Sequence, residues 1–275
     1  MWKGFSETIQ GSWIARFILS VFIVLSLWWV TIYWRDLTSG FENNAFTLIY
    51  PWISLIGGVV GLLISNKWGG LKSIIGRSLF VLSLGLLAQT FGQAAYAYYI
   101  YVLGIEVPYP SMGDVGYFGS VIFYLYGVLL LARVLRVNFS LRSLVGQAQA
   151  IIIPLILLGL SYILFLRGYE FDWSQPLKVF LDLGYPFGQA IYVSIATIAF
   201  LASRKALGGM MREPMSFLLV ALIVQYFSDF IFLYEASNEQ WYVGGVNDYM
   251  YFVSYCLMAI GLIQLGVTFK KIDES

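Results

Sequence analysis

From Trp13 to Trp34 the chain reads WIARFILSVFIVLSLWWVTIYW, twenty-two residues with a single charge, Arg16. A bilayer core is about 30 Å thick and an α-helix rises about 1.5 Å per residue, so about 20 apolar residues span it. Inside hydrocarbon a segment must satisfy its own backbone hydrogen bonds, which makes such a run a helix. Seven further segments share this character, and the predicted spans are 13–34, 45–66, 76–103, 113–136, 145–166, 176–202, 214–234 and 245–269. The first is too long for a cleaved leader, and its end, WVTIYWRD, offers no small-residue cleavage site, so it is expected to stay as an anchor. The expected fold class is an all-α polytopic membrane protein of eight transmembrane helices.

Composition agrees. The 275 residues are 60% apolar and only 11% charged, with a mean hydropathy of +0.78, against roughly a quarter charged in soluble domains. The absence of histidine removes His-ligated haem, His-based zinc sites and imidazole-dependent triads. No cofactor and no metal site is expected, and a net charge of +1 gives no reason to expect nucleic acid. The lone cysteine, Cys256, lies within a hydrophobic segment and reads as a small buried hydrophobe.

Charge also orients the spans. Thirteen of the sixteen basic residues fall on the side of both termini and of the loops after spans 2, 4 and 6, among them Lys67, Lys72, Arg77, Arg136, Arg142 and Lys271. Only Arg35, Arg167 and Lys178 fall on the other side, so both termini are expected in the cytoplasm. Eleven of the fifteen acids, Glu170 and Glu239 included, lie outside or in the outer third of a span. That field favours cations and amines.

The two halves of the chain echo one another. Tyr50-Pro51-Trp52 is matched by Tyr185-Pro186-Phe187, the loop SNKWGG by SRKALGG, and Gln89 with Gln93 by Gln225 with Asp229. Asp114-x-x-Tyr117-Phe118 is matched by Asp248-x-x-Tyr251-Phe252, and all pairs fall in order at offsets of 134–139 residues. An even number of spans per unit makes this a parallel repeat, 1–138 and 139–275, with any binding site expected near the interface of the units.

Several polar groups lie within the spans. Asp229 is expected about five residues below the outer end of its helix, where a carboxylate costs a few kcal/mol unless it faces protein or water. A function or a buried hydrogen bond would explain it. Gln225 sits one turn below, and Gln89 and Gln93 repeat the spacing, so both helices present a polar stripe to the bundle. Asp182 has Lys178 four residues earlier, which allows a local ion pair or an acid cluster balanced by the lysine. Ser111-x-x-Asp114 has the form of a capping box, which accounts for one acid without any site. Asp248 instead follows Asn247, itself a possible cap. The candidate ligand-binding residues are Gln93, Asp114, Tyr117, Asp182, Tyr185, Gln225, Asp229, Asp248 and Tyr251, with no catalytic residue assigned. Glycines at 57, 61, 184 and 188 have helix-packing spacing.

The segment YPSMGDVGYFGSVIFYLYGVLLL resembles the Pro-Ser-x-Ala-Asp-x-x-Tyr stretch of bacterial multi-span sensory modules, which commonly precede GGDEF diguanylate cyclase or histidine kinase domains. DLGYPFGQAI and VQYFSDFIFLY with NDYMYFVSYCLMAIGL are similar to the rest of such modules, so the resemblance covers spans 3 to 8. Carried over by position, it marks Pro110, Ser111, Asp114, Tyr117, Tyr185, Pro186, Asp229 and Asp248. Gly113 stands where the alanine is usual, and the 275 residues hold no output domain, so the output is expected to lie in a partner protein. The resemblance therefore implies a sensor in the cell membrane that signals through a cytoplasmic or membrane partner. The acidic outer face and the aromatic residues, not the resemblance, lead to the expectation of a small cationic or apolar ligand. Two other readings remain: a small-cation, amine or proton-coupled transporter, and an intramembrane hydrolase whose Asp114 and Asp248 meet as an acid–base pair.

Overall fold

The computed structural model describes residues 3–134, 144–163, 167, 171–206, 212–238 and 240–274. Arg136, Arg142, Glu170, Glu239 and residues 207–209 of the loop SRKALGG lie outside them. The described residues form ten α-helices and no strand: α1 (Lys3–Gly11), α2 (Trp13–Trp34), α3 (Phe41–Ile49), α4 (Trp52–Lys67), α5 (Ile74–Ala97), α6 (Met112–Val134), α7 (Leu144–Ser161), α8 (Pro176–Ala206), α9 (Arg212–Ser237) and α10 (Val246–Asp273).

Among the described residues six stretches are long and apolar enough to cross a membrane: α2, α3 with α4, α5 with the π-helical turn that follows it, α6, α9 and α10. The segments expected as spans 5 and 6 are helical, as α7 and α8, but are not among the six. Helix starts follow local chemistry. Ser12 caps α2 by accepting the Ala15 N–H, and Ser73 caps α5 by accepting that of Gly76. Proline has no N–H to give the helix, and at Pro51 it separates α3 from α4. Its counterpart Pro186 stays inside α8, as Pro154 does inside α7.

The helices close a ring. α4 packs on α5, α5 on α6, α6 on α8, α8 on α9, α9 on α10, and α10 returns to α4. α2 lies against α10 and α7 against α8. Helix α10 is the most enclosed of the membrane-length helices, whereas side chains such as Leu27, Leu63, Val115 and Ile122 face outward where lipid would lie.

Glycine sets the approach at the ring contacts. A Cβ on Gly57 would stand 2.7 Å from that of Ala259, and one on Gly61 2.7 Å from Leu262, both on α10. A Cβ on Gly184 would meet Phe118, and one on Gly188 Val121, both on α6. Gly57 and Gly61 therefore face both α10 and α5, where Leu86 and Ser83 also stand close, while Gly184 and Gly188 face α6. Van der Waals fit is the main force joining helices in lipid, so these close approaches matter.

The ends are tied by polar contacts. At one end Glu213 accepts the backbone N–H of Gly4 at 3.1 Å and of Phe5 at 2.7 Å, capping α1, while Glu7 pairs with Lys271. At the other end the Trp29 indole N–H donates to the Gly244 carbonyl at 3.0 Å, and the Asn43 amide donates to that of Val243 at 3.1 Å.

The closest helix approach gives a direct prediction. A Cβ on Gly116 would lie 2.5 Å from the Ala88 carbonyl and 2.6 Å from the Gly92 nitrogen, both backbone atoms, while one on Gly119 meets nothing within 4 Å. Gly116→Ala should lose about 1–3 kcal/mol of stability, read by denaturant unfolding in micelles. Gly119→Ala should be neutral or slightly stabilising.

Candidate functional site

Asp114 and Asp248 both occupy the third position of their helices, α6 and α10, and both are buried, 6% and 4% exposed. Each reaches back to a backbone N–H just ahead of its helix: Asp114 Oδ2 accepts from Ser111 at 2.7 Å, Asp248 Oδ2 from Gly244 at 2.7 Å. The capping box is thus present at Ser111-x-x-Asp114, and its backbone half recurs at Asp248 without the serine. Asn247 is not the cap of α10; Gly245 holds that position. The negative charge also suits the positive helix end.

The remaining carboxylate oxygens take tyrosines from the opposite half. Asp248 Oδ1 accepts the Tyr50 hydroxyl at 2.9 Å, and Asp114 Oδ1 accepts the Tyr185 hydroxyl at 2.8 Å. Tyr50 and Tyr185 are the repeated Tyr-Pro tyrosines, and Asp114 and Asp248 the repeated aspartates. The exchange is reciprocal: Tyr50, at the turn between α3 and α4, donates to α10, and Tyr185 of α8 donates to α6. Asp114 and Asp248 share no hydrogen bond, so the proton-sharing pair expected for a hydrolase is not formed. Among the described residues no three acidic or cysteine side chains gather closely enough to hold a metal ion.

A second polar layer lies deeper. Asp229, inside α9 and 7% exposed, accepts the Tyr251 hydroxyl at 2.7 Å and the Gln225 amide at 3.1 Å through one oxygen. Ser254 donates to Gln225 at 3.0 Å. In the first half Gln89 donates to Ser120 at 2.7 Å, a glutamine–serine bond of the opposite direction. The halves then meet again, since Tyr255 donates to Gln89 Oε1 at 2.9 Å.

The other candidates are placed as follows. Tyr117 packs edge-on against Tyr96, ring centres 5.1 Å apart. Asp182 stands apart from the two layers, accepting the Tyr109 hydroxyl at 2.7 Å. Burial and that carboxylate push the Tyr109 hydroxyl far above the usual tyrosine range, which keeps it a donor. Gln93 lines a cavity between α4 and α5. The structure therefore joins Asp114 with Tyr185, and Asp229 with Gln225 and Tyr251. It pairs Asp248 with Tyr50, which sequence reasoning had not chosen although the Tyr-Pro echo pointed to it. Gln89, Ser120, Ser254 and Tyr255 were likewise not chosen; only the glutamine spacing signalled any of them.

Comparison with protein-family models, with curated proteins and with solved structures returns no match.

The asymmetry of buried hydrogen bonds sets the expected outcome here. Tyr255→Phe leaves Gln89 Oε1 buried without that donor and should cost about 1–3 kcal/mol. Adding Gln89→Leu should recover part of the loss, as measured by unfolding of the single and double variants.

Proposed function

We propose that the chain is a non-enzymatic sensory or ligand-binding module of the cell membrane, with eight spans arranged as two parallel four-helix units and both termini cytoplasmic. The observation that carries this reading is the reciprocal exchange of Tyr50 to Asp248 and Tyr185 to Asp114. Two equivalent bonds across the interface of the halves form a latch whose opening would change how the halves pack. The ring order supports the repeat, because span 2 meets span 8 as span 6 meets span 4. The resemblance to sensory modules supports the role, and the basic bias of the loops after spans 2, 4 and 6 supports the orientation.

In this arrangement the ligand is a small cation or amine that reaches the acids from the outer face. It competes with the tyrosines for the carboxylates, loosens the latch and shifts the cytoplasmic loops, which a partner protein reads. A transporter is the weaker reading: α3 and α4 are separated at Pro51, but Pro186 lies in an unbroken helix, so no pair of half-helices forms. The hydrolase reading loses its acid–base pair, since both oxygens of each aspartate already accept a donor.

The test places a fluorophore on Lys72→Cys in a Cys256→Ala background, reconstituted in liposomes, with spermidine or tetraethylammonium added to the outer face. The expected result is a saturable fluorescence change that Asp114→Asn or Asp248→Asn weakens at least about tenfold, the effect of losing about 1.4 kcal/mol of binding. An equally flat trace in all three proteins contradicts the proposal, and accumulation of labelled spermidine inside the liposomes would make the chain a transporter. A reporter fused after Ser275 should be active only in its cytoplasmic form.

A further inference from the structure

Between α4 and the end of α5 lies a half-open cavity of about 500 Å³, within the size range of small-molecule sites. It adjoins the Asp248 layer through Thr47, but no acid enters its lining. We propose that it binds a neutral, lipid-soluble molecule with a carbonyl or hydroxyl head, entering sideways from the bilayer.

The sequence makes the space. Thr90, Gln93, Ala94 and Ala97 stand at i, i+3, i+4 and i+7 on α5, so they share one face, and two of the four are alanine. Opposite them is the turn at Pro51 that separates α3 from α4. Beyond Ala97 the helix widens into the π-helical turn Tyr98–Leu103, a departure that recurs at functional sites. Leu48, Trp52 and Val102 form the rim and are 43%, 60% and 68% exposed on the outward surface. The mouth therefore opens where lipid tails would lie.

The lining chooses the head group. No charged side chain lines the cavity. A charged head would meet no counter-charge at membrane depth and pay several kcal/mol. A bare alkyl chain would leave the Gln93 amide facing hydrocarbon. Gln93 is 8% exposed and lines the cavity; one of its amide N–H groups is engaged by the oxygen of Tyr255, whose own hydroxyl donates to Gln89. The second amide N–H offers a donor to a ligand carbonyl. Thr47 already gives its proton to the Asn43 carbonyl, so toward the cavity its oxygen is an acceptor for a ligand hydroxyl, while Thr90 is engaged by the Leu86 carbonyl and the Ser54 hydroxyl. At the matching place in the second half stands Asp229, closed off by Tyr251 and Gln225. The repeat has thus diverged into one acidic and one neutral position.

The test is photolabelling in nanodiscs with a diazirine-bearing hexadecanol, beside the same chain carrying a trimethylammonium head and the same chain carrying none. The alcohol should label residues 47–55 and 90–102 in preference to the rest of the lipid-facing surface, and unlabelled hexadecanol should compete. Ala94→Trp, which fills the space, should remove that labelling. Gln93→Leu, which keeps the volume, should weaken labelling by the alcohol about tenfold but leave the headless chain unchanged, and it decides the matter should Ala94→Trp fail to fold. Labelling spread evenly over the lipid-facing helices, equal labelling by the ammonium probe, or labelling indifferent to Gln93→Leu overturns the site. The binding readout stands apart from the sensory reading, because it needs no change at the cytoplasmic loops.

Discussion

A carboxylate within an apolar bundle is unstable unless hydrogen-bond donors surround it, and most of this fold answers that constraint. Asp114 and Asp248 each draw one donor from their own helix start and one from a tyrosine of the other half. The local bond holds the acid in place, and the distant one makes its burial conditional on the two halves being together. Removing either tyrosine leaves a buried carboxylate with one partner fewer. The acids therefore couple the assembly of the ring to its polar interior.

The packing around them follows the same exchange. Gly57 and Gly61 of the first half admit α10 of the second, and Gly184 and Gly188 of the second admit α6 of the first. Close backbone approach brings the tyrosine-bearing helices near enough for their hydroxyls to reach the aspartates. The deeper layer holds a glutamine–serine bond in each half, of opposite direction, and the halves differ where Gln93 stands opposite Asp229 in their sequence alignment. That difference sets a neutral residue at the cavity against an acidic cluster in the other half.

Much of this was legible in the sequence, and for physical reasons. Long apolar runs have one solution in a bilayer, so the segment limits fall close to those of the helices, with Trp13–Trp34 predicted to the residue. Asp229 declared itself because a mid-helix acid in a greasy segment cannot be a cap. The Tyr-Pro echo and the Asp-x-x-Tyr-Phe echo were each visible, but their pairing was not. Tyr50 and Asp248 are 198 residues apart, and local patterns say nothing about which helices become neighbours. Asp114 posed the opposite problem, since its capping box was a sufficient local explanation, and the bond from Tyr185 is an addition that only the tertiary arrangement supplies. Tyr255 to Gln89 was hidden for the same reason, having no counterpart across the repeat. Gln93 was grouped with the acids by its helical spacing, whereas the structure turns it to the cavity between α4 and α5.

The most direct measurement of the exchange is a pair of double-mutant cycles, Tyr50→Phe with Asp248→Asn and Tyr185→Phe with Asp114→Asn, read by reversible unfolding in mixed micelles. Each pair should show a coupling energy of about 1–3 kcal/mol, while the crossed cycle of Tyr50→Phe with Asp114→Asn should be additive to within about 0.5 kcal/mol. Coupling no larger within the pairs than in the crossed cycle would contradict the account.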